Sequence, residues 1–302
     1  MKYHPISNQL FIKNRVKFSS QMKPNSIAVF NSNDIFTTGA DSSLPFHQQR
    51  DIFYLSGVDQ EESILVLFPD CPKAKHREIL FLKETNEHIA VWEGEKLTKE
   101  AALKTSGIKT VYWLQDMEKI MFELMTLCDT VYINTNEHYR ANVETETRED
   151  RFTKWLTNKY PAHRVAKSNP ILQRIRSVKD QIELDLIQKA CDITEKGFRR
   201  ILGFIKKGKM EFEIEAELMH EFLSNRSKGF AYTPIIASGS SACVLHYIEN
   251  NKPCNDDRAP ALPQQSDGSR AACHRRENIY RARRPDAPSV PCRENRLQLG
   301  PG

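Results

Sequence analysis

LPFHQQRDIFYLSGVDQEESILVLFPD, Leu44–Asp70, is the stretch on which the fold class turns. It opens polar, with His47, Gln48, Arg50 and Asp51, and then passes through two short apolar runs, DIFYLSG (51–57) and ESILVLFPD (62–70). Both are bounded by Gly, Pro or Asp and have the length of strands, so the expectation is a polar loop followed by two strands. Such a loop binds a ligand, lies solvated or crosses to another subunit.

Outward from there the same alternation continues. SIAVF (26–30), REILFLK (77–83), HIAVWEG (88–94) and TVYWL (110–114) read as further strands. NQLFIKNRVKFSSQM (8–22) reads as a helix with Leu10, Val16 and Met22 on a broad apolar face, and LTKEAALKTSG (97–107) as another. Strands mixed with helices predict an α/β domain over residues 1–140. The charged, then helical segment 141–170 is expected to be a connector. In 171–253 a helix capped by Ser177 or Asp180 carries Leu184, Ile187, Cys191 and Phe198 near one side, and a second places Ile214, Leu218 and Phe222 at i, i+4, i+8 before a cap at Gly229. YTPIIASG (232–239) and ACVLHY (242–247) then read as an antiparallel pair, the opening of a second, α+β domain.

After Cys254 the chain changes character. Residues 1–253 carry 35 Lys+Arg against 33 Asp+Glu, whereas 254–302 carry nine Arg, no Lys, four Asp and two Glu. The tail shows no helical or strand period, and its Arg, Pro and Ser content buries too little apolar surface to offset ordering entropy, so it is expected to be disordered. The whole chain of 302 residues, 39% hydrophobic and 27% charged, is long enough for a sizeable core. No segment approaches the roughly 18 apolar residues of a membrane span, and the body's cysteines are scattered; a soluble cytoplasmic protein with reduced thiols is expected.

Three places are candidates for chemistry. His246, in SACVLHYIEN, follows the small-residue turn SGSS and is either a proton carrier, a substrate contact, a metal ligand or a satisfied histidine at a strand end. The polar loop before Asp51 is the second. The third, Cys254, Cys273, His274 and Cys292, matches no paired zinc spacing. His220–Glu221 lacks the second histidine of a zinc helix, no phosphate-cradling glycine motif occurs, and HRRENIYRARR (274–284) is a weak candidate for nucleic-acid phosphates that a solvated tail explains as well.

Taken together, LPFHQQRDIFYLSGVDQEESILVLFPD, VWEGEKL around Trp92, RIRSVKDQIELDLIQKACDIT and YTPIIASGSSACVLHYIENNKP resemble the aminopeptidase P family, the Xaa-Pro aminopeptidases, over residues 8–253. The resemblance implies a creatinase-type α/β N-terminal domain with a mixed sheet, then a pita-bread α+β metallopeptidase domain. It implies release of an N-terminal residue preceding proline by two divalent ions, usually manganese, with peptides bearing proline second as substrates. It places His246 as substrate contact and proton-transfer residue, Tyr232 as the tyrosine orienting a metal-ligand carboxylate, and Trp92 as a substrate-pocket tryptophan offered to a neighbouring subunit in a homo-oligomer. The family's metal ligands all follow the histidine matched by His246. An aspartate is due near Pro263 and another near His274, where this chain reads RAPALPQQ and AACHRREN, so no metal ligand is assigned. The expectation is therefore a truncated member, its frame slipped near Cys254, inactive alone; the alternative is a non-catalytic binding or oligomerisation protein built on the N-terminal domain. Membrane and nucleic-acid partners are not expected.

Overall fold

A computed structural model describes residues 3–136 and 144–254. The tail 255–302, with its expected disorder and its cysteines and histidine, lies outside the described residues. The rest divides into two compact units: the first runs to Asp192 and takes in Arg226–Lys228, the second comprises Ile193–Asn225 and the residues from Gly229.

The first unit is built on a six-stranded mixed sheet, order β4-β3-β2-β1-β5-β6. Its strands are β1 (Ser26–Asn31), β2 (Ile64–Leu67), β3 (Glu78–Leu82), β4 (Thr110–Trp113), β5 (Thr130–Ile133) and β6 (Arg164–Lys167). β2 pairs antiparallel with β1 and β3, while the pairs β1–β5, β5–β6 and β3–β4 are parallel. Every residue of β1 is buried. Its side chains alternate, Ala28 and Phe30 entering one core with Phe18, Tyr54, Leu55 and Ile171, Ile27 and Val29 entering the other with Met121, Leu124, Phe152 and Leu156. The first core is roofed by α1 (Asn8–Ser19), α2 (Arg50–Ser56), α4 (Lys99–Ser106) and α7 (Asn169–Ser177), the second by α5 (Met117–Met125) and α6 (Arg148–Lys159).

Four expectations are corrected here. The run DIFYLSG is a helix, α2, because the Gln49 side chain accepts from Asp51 N–H at 2.6 Å and Ile52 N–H at 3.1 Å, and Gly57 closes the last turn at φ 70° with its N–H on Phe53 O at 2.7 Å. HIAVWEG is likewise a helix, α3 (Glu87–Glu93), started by Asn86 Oδ1 on Ile89 N–H at 2.9 Å. The stretch 141–170 is no bare connector: it holds α6 and β6, and β6 pairs with β5 from Thr130↔Arg164 to Ile133↔Lys167. On α1, Val16 faces solvent, and the buried stripe is Leu10, Phe11, Asn14, Arg15 and Phe18.

Arg15 is fully buried, and its Nη1 donates to Leu55 O at 2.8 Å and Ser106 O at 3.0 Å, closing the C-terminal ends of α2 and α4 together. A cation at two helix C-termini meets both orphan carbonyls and both dipoles. Nε lies 3.1 Å from Glu78.

The second unit packs α8 (Gln181–Phe204), which the unit boundary crosses, against α9 (Glu211–Ser224). Ile214, Leu218 and Phe222 form the buried face of α9 as the spacing predicts, with Ile193, Ile201, Ile236 and Cys254. On α8, Leu184 and Cys191 are exposed instead of buried, and the packed positions are Ile193, Gly197 and Ile201. An ideal Cβ on Gly197 would lie 2.5 Å from Leu218 Cδ1, so the missing side chain sets how closely the helices approach. Helix α9 ends at Asn225. The expected pair 232–239 and 242–247 forms no strand among the described residues: Gly239–Cys243 is a 3₁₀ turn, and Val244, Leu245 and Ile248 are exposed.

Candidate active-site loop

Residues 229–254 form a loop fastened to α9 by two polar side chains. Glu211, in the first turn of α9, is buried and accepts four hydrogen bonds. Ser238 N–H at 2.7 Å and Ser238 Oγ–H at 3.0 Å reach Oε1; Tyr247 O–H at 2.7 Å and Lys252 N–H at 3.0 Å reach Oε2. Burial pushes this carboxyl up, but the donors outweigh it and hold it below the ordinary carboxylate range. Tyr247 is displaced upward by burial and by its bond to Glu211.

Asn250 makes the second fastening. Its Nδ2 donates to Glu215 Oε2 at 2.9 Å and Pro234 O at 3.0 Å, and its Oδ1 accepts from Ile236 N–H at 2.9 Å. Its φ of 46° is one that asparagine tolerates better than most residues. A bridge Met210↔Pro253 and the bonds Glu211 N→Lys252 O (3.0 Å) and Cys254 N→Lys209 O (2.8 Å) zip the loop's end to the start of α9. Lys252 Nζ donates to Ser241 Oγ at 2.7 Å across the loop.

His246 sits between these anchors, beside Tyr247, and is exposed. Tyr232 is on the same loop and is also exposed. Trp92 belongs to α3 in the first unit, with 81% of its surface exposed and Val91 beside it. The loop thus brings His246 and Tyr232 onto one segment, and the strand expected to carry His246 is replaced by an anchored turn. Glu211 and Asn250 were not among the residues singled out from sequence; the only trace of them is a glutamate opening a helix and an Asn three residues after Tyr247.

Among the described residues no group of three or more His, Cys, Asp or Glu is disposed to hold a metal ion. Glu211 is committed to donors on both oxygens. These residues do not fit a dinuclear centre.

Family models match this chain twice: Aminopeptidase P, N-terminal domain, over residues 11–132, and Metallopeptidase family M24 over 185–259. Across both matched regions the chain is similar to the aminopeptidase P family. The second match runs through the loop of His246, and the order of the two matches is that of the two units. Among curated relatives, the Xaa-Pro aminopeptidase of Escherichia coli is 27% identical over 81% of this chain and 56% of its own length. A Bacillus anthracis structure provisionally classed as an aminopeptidase P superposes with a TM-score of 0.78 at 26% identity, covering 86% of this chain and 62% of that one. The Escherichia coli aminopeptidase P structure superposes with a TM-score of 0.76 at 24% identity, over 87% and 60% of the two chains, a likeness of fold. The chain spans about half the length of the curated relatives it matches. No helix among its described residues is long and apolar enough to cross a membrane.

Proposed function

We propose that this chain carries the peptide-facing half of a proline-directed aminopeptidase, an enzyme releasing an N-terminal residue that precedes proline. The reading rests on the loop 229–254: buried Glu211 and Asn250 fix the backbone on both sides of an exposed histidine, which is how a fold presents an imidazole to a substrate. His246 contacts the peptide and exchanges a proton with it, and Tyr232, on the same loop, is the orienting residue. In such an enzyme paired divalent ions, manganese in the family pattern, lower the pKa of a bound water. The described residues do not supply their ligands, and the positions near Pro263 and His274 read RAPALPQQ and AACHRREN, so this polypeptide is expected to be inactive alone. Purified chain with added manganese is expected to release no amino acid from an Xaa-Pro-Xaa tripeptide. Release that His246→Ala abolishes would overturn the inactive reading while keeping the role of His246.

A second reading, self-association through the first unit, is favoured by one observation: Val91 (78%) and Trp92 (81%) stand exposed together on a helix with no buried residue. Sedimentation should then show an oligomer that Trp92→Ala shifts toward monomer; an unshifted profile counts against it.

A further inference from the structure

The first unit holds a cleft that the peptidase reading does not use. β1 and β5 lie side by side and parallel, but the chain leaves them in opposite directions. After β1 it goes to α2, whose Ile52, Tyr54 and Leu55 pack in one core; after β5 it goes to α6, whose Phe152 and Leu156 pack in the other. Where neighbouring parallel strands send their following helices to opposite faces, a crevice opens beyond their carboxyl ends, the place where open α/β sheets bind ligands.

A cleft of about 290 Å³ lies there, lined by Asn33, Asp34 and Ile35 after β1, Glu61 and Glu62 before β2, and Arg148 in the first turn of α6. The first turn of α6 is pinned by Glu149, which accepts from Asn31 Nδ2 at 2.8 Å and from Asn134 N–H at 2.9 Å, residues at the ends of β1 and β5.

The charges in the lining are unequal in their commitments. Asp34 is held by Arg151 Nη2 at 2.9 and 2.8 Å, Glu61 is paired with Lys96, and Glu62 has Lys83 Nζ at 3.7 Å. Arg148 is half-buried and has no hydrogen-bond or ion-pair partner among the described residues. A guanidinium carries five donors in a fork matched to a carboxylate, and leaving them unmet in a partly desolvated cleft is costly. The three carboxylates around it keep spare lone pairs that suit an ammonium and repel a phosphate dianion; Arg148 in turn repels a simple cation. Ile35 adds an apolar wall.

We propose that this cleft binds a small zwitterion of the α-amino-acid class, its carboxylate on Arg148 and its ammonium among Asp34, Glu61 and Glu62. The test is titration of the full chain with glycine, L-leucine and L-proline, followed by calorimetry and by amide shifts of Asn33, Ile35 and Glu62. Saturable millimolar binding of at least one is expected, with acetate and isopentylamine, the single-charge halves, at least about tenfold weaker. Arg148→Gln should weaken binding by at least about tenfold in chain that still unfolds cooperatively, since the side chain makes no hydrogen bond and loses only the attraction of Asp34 and Glu62. The proposal is overturned by no saturable binding of the three amino acids, by affinity that Arg148→Gln leaves intact, or by acetate binding as tightly as the amino acid.

Discussion

At the scale of single residues, the molecule spends its buried polar groups on fastening. Glu211 is the sharpest case, since removing it leaves three separate partners, Ser238, Tyr247 and Lys252, without their acceptor. Glu211→Ala is expected to lower hydrogen-exchange protection of the Ser238 and Lys252 amides by about ten- to a hundredfold at neutral pH, the size of roughly 1–3 kcal/mol for stranded donors. The pH dependence has a definite sign. A carboxyl held below its unfolded value contributes stability above the ordinary carboxylate range and loses it as pH falls through the depressed native value. The difference between wild type and Glu211→Gln should therefore be largest near neutrality and shrink in acid; a constant difference from pH 7 to 3 would refute the assignment. Glu149 runs the other way: burial raises its carboxyl, so its contribution is present in acid and is lost as pH rises through the raised native value.

At the scale of elements, the contacts of α1 fix where α2 can end. An ideal Cβ on Gly57 would lie 2.2 Å from the Phe11 ring, at a φ of 70° that already disfavours a side chain. Gly57→Ala should destabilise the first unit by about 2–4 kcal/mol in urea unfolding, strain and overpacking acting together. Gly197→Ala, at an ordinary φ, has only the packing term and should cost about 1–3 kcal/mol. The same elements show what the sequence makes legible. β1 to β4 were readable because SIAVF, SILVLF, EILFL and TVYW are strand-length apolar runs between breakers. α2 and α3, each of seven residues, were not, since an apolar run that short fits either period; the deciding signals were the amide caps Gln49 and Asn86, which composition hides. β6 escaped because Arg164, Val165 and Lys167 are exposed on an edge strand, where no apolar pattern is needed. In the loop of His246 the apolar residues that looked like a strand, Val244 and Leu245, are exposed, and the order there comes from Glu211 and Asn250, whose partners lie up to 41 residues away. His246 stands out in the sequence by its setting; the side chains that hold its loop do not.

At the scale of the whole molecule, the first unit is complete only when β6 and α7 are present. A chain ending at residue 140 would lack Phe152 and Leu156 from one core and Ile171, Leu172 and Ile175 from the other. It should be insoluble or bind hydrophobic dyes, whereas a chain ending at Ser177 should unfold cooperatively; two equally cooperative chains would contradict the shared cores. Limited proteolysis should leave a resistant fragment from the first unit and cut the second within 229–254, the outcome to be read against a fragment that survives through His246. The position of β1 has a consequence for the order of events during synthesis. It is flanked in the sheet by β2, made soon afterwards, and by β5, whose approach joins Asn25 to Asp129 across 104 residues. While the ribosome adds those residues, the nascent sheet holds a strand that is wholly buried in the finished unit with one side unclaimed, so elongation speed over that interval sets how long that edge stays open.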